Sequence, residues 1–281
     1  MNVYIKLIFA IFISVIYATV YANSNIYPWL GRYNERHAIG SQIAVPAGYQ
    51  RMNVQKGSFP YWLRHMPLKE GQTAVYLYNG EKKENQEAHA AVIDIDTGNT
   101  DLQQCADAVI RLKAEYLYLK RDYKSIHFNF TNGENLLFET WIAGYRPVVT
   151  GSKIKWQKQE EPDSTYSNFK KYLKAVFTYA GTFSLNQELQ AVGINEMEIG
   201  DVFIQAGFPG HAVIVVDMAV HQKTGDKIFL LAQSYMPAQD IHVLKNPSNE
   251  SLSPWYELMF EKELKTPEWT FQKEHLKRFR N

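Results

Sequence analysis

Residues 201–234 constrain this chain more than any other stretch. Asp201 to Gln205, His211 to Ala219 and Ile228 to Ser234 are three runs dominated by Val, Ile, Phe, Leu and Ala. Such runs, bounded by turn residues, read as strands. Ala206-Gly207-Phe208-Pro209-Gly210 separates the first two, and Lys223-Thr224-Gly225-Asp226 has hairpin-turn composition between the second and third. The expected architecture is α+β, with a mostly antiparallel sheet of which this segment is the core.

Helices to cover such a sheet are written elsewhere. Leu102, Cys105, Ala106, Val109, Ile110, Leu112 and Tyr116 follow a helical period, and Thr100 with Gln103 has capping-box spacing, so a helix is predicted from about Asp101 to Leu119. Tyr166 to Ala180 carries a second amphipathic pattern, and Ser184 is expected to cap a short third helix ending near Val192. Ser58 should cap a helix over Tyr61 to His65. Ile39 to Val45 alternates like a strand. Ala74 to Tyr78 and His89 to Asp94 read as a looped hairpin, Ile126 to Phe130 and Leu136 to Ile142 as another, and Lys153 to Ser164 as an exposed loop.

Met1 to Ala22 holds one cation, Lys6, then the apolar run Leu7 to Val20 and the ending Val20-Tyr21-Ala22, the pattern of a cleaved signal peptide. The run is shorter than the ~20 residues that a spanning helix prefers, so no stable membrane insertion is expected after cleavage. The remainder, 23–281, is expected to be a single α+β domain, a pattern also compatible with a subdomain over 23–98. With 30 Lys and Arg against 29 Asp and Glu, the chain lacks the basic footprint of a nucleic-acid binder.

The single cysteine, Cys105, has no intramolecular disulfide partner. It is therefore either buried as a small hydrophobe or reactive. Burial fits its place on the Leu102, Cys105, Ala106, Val109 stripe, a full turn inside the predicted helix. Reactivity fits a helix whose N-terminus favours thiolate, approached by His211 at the start of a strand as general base. With the turn centred near Thr224 and Gly225, the residues able to orient His211 are Gln233, Ser234, Gln239 and Asp240; Asp217, about 20 Å along the strand at ~3.3 Å per residue, is too far. Trp141, Arg146 and Tyr235 are candidate substrate-binding residues.

No histidine pair has close metal-ligand spacing, so zinc is not expected. Asp94-Ile-Asp96-Thr-Gly98-Asn-Thr-Asp101 looks superficially like a calcium loop but has Cys105 where the bidentate Glu belongs, and reads better as a glycine turn before a helix. No metal or cofactor is expected. Arg111 and Glu115, four apart on the same predicted helix, read as a surface pair.

Cys105 on a helix, Gly200-Asp201-Val202-Phe203-Ile204 and Gly210-His211-Ala212-Val213-Ile214-Val215-Val216 together resemble the papain-like fold of NlpC-type cell-wall peptidases. That resemblance implies Cys105 as nucleophile, His211 as base, Gln233 as the orienting residue on the next strand, and amide hydrolysis through a thioester. The whole chain also resembles a family of exported bacterial proteins classed as a domain of unknown function. The stretches concerned are Tyr27-Pro-Trp-Leu30, Asp101-Leu-Gln-Gln-Cys-Ala-Asp-Ala108, Ser234-Tyr-Met-Pro-Ala-Gln239 and Thr266-Pro-Glu-Trp269.

Two functions follow as expectations. One is an exported cysteine hydrolase or amidase cleaving peptide or isopeptide bonds of the cell envelope. The other is a non-catalytic envelope protein binding glycan or peptide through an aromatic groove, suggested by 18 Tyr, 15 Phe and 6 Trp and a structural cysteine. The partner in either case is a peptide or glycan component of the envelope.

Overall fold

The computed structural model describes residues 26–71, 73–151 and 153–280. The predicted signal peptide, 1–22, lies outside the described residues. The sheet core is where the apolar runs predicted it. The order across the sheet is His89–Val92, His242–Leu244, Lys227–Gln233, His211–His221, Val202–Gln205, Leu276–Phe279 and Leu189–Ala191, with every neighbouring pair antiparallel. Tyr49–Arg51 pairs with the far end of His211–His221, and Tyr256–Glu257 with Lys227–Gln233. The architecture is α+β with a mostly antiparallel sheet. It draws strands from residue 49 to residue 279, including two from the 23–98 stretch.

The central strand, His211–His221, is buried from His211 to Ala219, which accounts for its unbroken apolar run. Helices Cys105–Leu119 and Phe59–Arg64 pack against it. Ser58 caps the second of these as expected, its Oγ accepting from the Tyr61 N–H at 3.2 Å. Thr165 starts the helix Tyr166–Tyr179 in the same way, accepting from Asn168 N–H at 3.3 Å.

Four local expectations are corrected. Ile39 to Val45 is not a strand; Ile39–Gln42 is a single helical turn. The hairpin of Ala74–Tyr78 with His89–Asp94 does not form. The Gln86 side-chain amide occupies both the N–H and the carbonyl of Val75, at 3.0 Å each, and His89–Val92 pairs with His242–Leu244 instead. Residues 153–158 are not loop but the strand Lys153–Lys158, paired with Tyr145–Thr150. Ile154 and Trp156, alternating with polar residues, supply its buried side, a period of two hidden among charges. The run from Leu136 splits into the strand Asn135–Leu137 and the helix Phe138–Ile142.

Asp217 lies far from His211 along the strand, as its spacing required, and has another task. Its fully buried carboxylate accepts from Arg51 Nε at 2.7 Å, Arg64 Nε at 2.6 Å and the Met218 N–H at 2.9 Å. This ties the strand Tyr49–Arg51 and the helix Phe59–Arg64 to the central strand. Asp217→Ala would leave the buried Arg64 guanidinium without its counter-ion, an uncompensated charge that costs about 3–5 kcal/mol. The expected outcome is an unfolding free energy from urea titration lowered by that amount, read as a lower midpoint with an unchanged m-value; an unshifted midpoint would show that the pair is dispensable.

Candidate active site

The helix carrying Cys105 begins four residues later than its periodicity predicts. Cys105 is its first residue, not an interior one. Tertiary bonds hold the preceding residues out of the helix. Ser234 Oγ donates to the Gln103 carbonyl at 2.9 Å, and the Asp101 carboxylate accepts from the Ala238 N–H at 2.7 Å and from Gln104 Nε2 at 3.0 Å. The cap is Gln104 with Asp107, whose Oδ2 accepts from the Gln104 N–H at 3.1 Å, rather than Thr100 with Gln103. The thiol therefore sits in the first turn, where free N–H groups and the macrodipole are strongest.

His211 opens the central strand and Gln233 closes the next. Ala232 pairs with Ile214, so Gln233, one position on, shares a face with His211. His211 Nε2 lies 2.8 Å from Gln233 Oε1. Donor and acceptor roles here are fixed by the neighbours. Gln233 Nε2 donates to Glu268 Oε2 at 2.8 Å and faces His242 Nε2 at 3.4 Å. His242 Nδ1 donates to the Asp240 carbonyl at 2.8 Å, which leaves its Nε2 bare. Both partners of the Gln233 NH₂ group are thus acceptors, so its oxygen must face His211. His211 Nε2 in consequence carries the proton and Nδ1 the lone pair. That Nδ1 is buried and without a hydrogen bond. Lys83 Nζ pairs with Glu268 Oε1 at 2.5 Å and lies 5.2 Å from the Tyr235 ring centre. Tyr235, Trp269 and Phe271 surround the imidazole at 4.8, 5.3 and 5.9 Å.

Cys105 is near this pair: the backbone N–H of Ala212, the residue after His211, lies close enough to its sulfur to favour the thiolate, against the larger effect of burial. Sulfur and Nδ1 are not hydrogen-bonded to each other. Cys105 is 4% exposed, and burial pushes its thiol up to about 11. Burial likewise pushes His211 down to about 4, with the Gln233 hydrogen bond opposing and Lys83 adding to the fall. At neutral pH the two are therefore an uncharged thiol and an uncharged imidazole. Cys105 also lines a cleft of about 600 Å³ between the helix start and the Gly207–Gly210 loop, within the usual range for a small-ligand site.

A family model matches residues 39–278, a span that includes Cys105, His211, Gln233 and Glu268. The chain belongs to the family described as Domain of unknown function (4846). No curated protein and no solved structure matches it. In this member of the family, Trp141 and Arg146 line a different cleft from Cys105. The Arg146 guanidinium stacks on Trp141 at 3.9 Å, and both bond Asn168 Oδ1. Arg111 and Glu115 form no surface pair. Both are buried, with Asp96, Gln103 and Tyr166 completing the cluster beneath the residues that precede Cys105. Asp96 is thus engaged by a guanidinium, and among the described residues no group of three or more His, Cys, Asp or Glu could hold a metal ion.

Sequence reasoning missed Glu268, Lys83 and His242. The signal is faint: Thr266-Pro-Glu-Trp269 stands out only as one of the stretches that carry the family resemblance.

The buried histidine gives a signed pH prediction. Unfolded, His211 binds a proton below about 6.5; folded, only below about 4. The unfolded state therefore takes up more protons between those values, and this group's contribution to stability, complete above about 6.5, is lost as pH falls toward 4. His211→Asn should make the pH dependence of unfolding free energy shallower in that window by up to ~1.4 kcal/mol per pH unit; identical slopes would refute a buried neutral imidazole.

Proposed function

We propose that this chain is a cysteine hydrolase of papain-like character that cleaves amide bonds of peptides, with Cys105 as nucleophile, His211 as general base and Gln233 as the residue that orients the imidazole. The carrying observation is the bare, buried Nδ1 of His211, its tautomer set by Gln233, on the residue before Ala212, whose backbone N–H acts on the Cys105 thiol to favour its ionisation. Hydrogen bonds in substrate-free sites are commonly long and tighten as substrate arrives.

The neutral resting pair fits general-base catalysis. As a carbonyl carbon approaches, Nδ1 takes the thiol proton while sulfur forms the new C–S bond. The Cys105 backbone N–H, first of its helix and unused by the helical ladder, is a donor for the oxyanion. Nδ1 then returns the proton to the departing amine nitrogen as the C–N bond breaks, leaving a thioester. Water, deprotonated by the same nitrogen, attacks the thioester and restores the thiol, with the carboxylic acid as product. Export, and envelope peptides as substrates, rest on the leader-like residues 1–22 and on the NlpC-type resemblance.

The burial of Cys105 and its raised thiol favour the second reading, a non-catalytic envelope protein that binds peptide or glycan and keeps a structural cysteine. Alkylation of folded protein with iodoacetamide between pH 5 and 9, with His211→Ala in parallel, separates the two. Catalysis predicts labelling at pH 7 that His211→Ala slows at least ~10-fold, and peptide hydrolysis that it lowers by ~10²–10⁴-fold. Labelling only after unfolding, with no peptide hydrolysis that depends on His211, would overturn the catalytic reading in favour of the second.

A further inference from the structure

The cleft beside Cys105 has a chemistry of its own. Large hydrophobic side chains exposed among the described residues number nine, and three of them ring this one cleft: Phe208 at 107%, Phe183 at 50% and Met236 at 43%. Scattered exposed hydrophobes need no explanation, but apolar side chains gathered around one opening mark a contact surface. Phe208 stands at the tip of the loop Ala206-Gly207-Phe208-Pro209-Gly210, with its side chain wholly in solvent, a position that offers no burial in the chain's own core.

No Lys, Arg or His lines the cleft, and its only charged-type residues are Asp101 and Asp107. Asp101 is committed to Ala238 and Gln104. Asp107 is not fully committed. Its Oδ2 takes the Gln104 N–H, while Oδ1 of this cleft-lining residue is buried without a partner, two residues from the nucleophile. A buried carboxyl oxygen left unpaired is costly, and a bound molecule with a donor would relieve it.

Resting on the reading of Cys105 as nucleophile, we infer that the cleft takes a neutral peptide acyl group bearing a bulky apolar side chain, seated against Phe183, Phe208 and Met236 and donating a hydrogen bond to Asp107 Oδ1. Carboxylate-bearing acyl groups are excluded. An anionic side chain would lose its water where no cation replaces it, beside a carboxyl group that repels it when ionised. Burial raises Asp107 above the ordinary carboxylate range, and no cation lines the cleft to hold an occupant's carboxylate. The preference thus runs against envelope peptides with free acidic side chains and toward their amidated or apolar segments.

The test separates the cleft from the chemistry by using full-length Cys105→Ser, which cannot form a thioester through sulfur. The blocked tripeptides Ac-Ala-Phe-Ala-NH₂ and Ac-Ala-Glu-Ala-NH₂ are titrated into it, with amide chemical shifts of Asp107, Phe183 and Phe208 as readout. The expected result is saturable binding of the Phe peptide at least ~10-fold tighter than the Glu peptide. Phe208→Ser and Met236→Ser, on the exposed rim and outside the catalytic set, should each remove most of the difference, and Asp107→Asn should weaken the Phe peptide. Equal or tighter binding of the Glu peptide, or no binding of either, overturns the inference. Failure of wild-type Cys105 to label or hydrolyse, with the Phe preference intact, would instead overturn the hydrolase reading and leave an apolar peptide-binding cleft.

Discussion

The hydroxyl of Ser234 is the joint on which the site depends. It sits just past the end of the strand Lys227–Gln233, its one hydrogen shared between the carbonyls of Gln103 and Gln239, each 2.9 Å away, and it accepts from the Gln239 N–H at 3.3 Å. Together with the bond between Asp101 and the Ala238 N–H, this holds the residues before the helix against the chain that leaves the sheet. Were 101–104 to continue as helix, as their apolar spacing invites, Cys105 would be an interior residue with its N–H bound to a carbonyl four back. The clamp instead makes it the first helical residue. A helix terminus exposes donors that must find partners, and here one lies beside the start of the central strand.

The sheet core and the relation of His211 to Gln233 were legible because both follow from local rules: apolar runs bounded by turns, and the opposition that a hairpin imposes on its strands. The arithmetic survived even a bulge between Leu230 and Leu231, since the candidate window was several residues wide. The helix start was illegible. The Leu102-Cys105-Ala106 spacing is helical, and the bonds that override it come from Ser234 and Ala238, more than 100 residues away. Glu268 was illegible for the same reason. Nothing near it in sequence says that its carboxylate will meet Gln233, and that contact decides which way the Gln233 amide faces. Trp141 and Arg146 do line a cleft, as an aromatic beside a cation suggests, but not the one beside Cys105. The guanidinium lies on the indole at 3.9 Å and both bond Asn168, contacts that fix the pair where it stands.

Burial and polarity are arranged in opposite senses around the two reacting groups. Desolvation disfavours both thiolate and imidazolium, so neither forms unprompted. Behind His211, however, the polar chain is satisfied at almost every link: Asp240 carbonyl to His242, His242 and Glu268 to the Gln233 amide, Gln233 to His211. A satisfied buried network is rigid, whereas a partly satisfied one is not. Among the described residues, six buried polar side-chain atoms lack a partner, and Nδ1 of His211 and Oδ1 of Asp107 are two of them. In the chain from Asp240 to His211, the last link ends on that bare Nδ1.

Glu268 acts on this arrangement through geometry more than through charge. Its carboxylate is paired at 2.5 Å with Lys83, itself buried, so the field of the pair at His211 is that of a dipole. The cationic end acts to lower the imidazole's proton affinity. An unpaired carboxylate behind Gln233 would do the opposite, favouring a charged imidazolium at rest. With Lys83 in place, Glu268 still obliges the Gln233 NH₂ group to face it and the oxygen to face His211, and the proton still resides on Nε2. The pair therefore fixes which nitrogen is bare without charging the ring, the condition that a base must meet if it is to take its proton from a thiol only when a substrate is present.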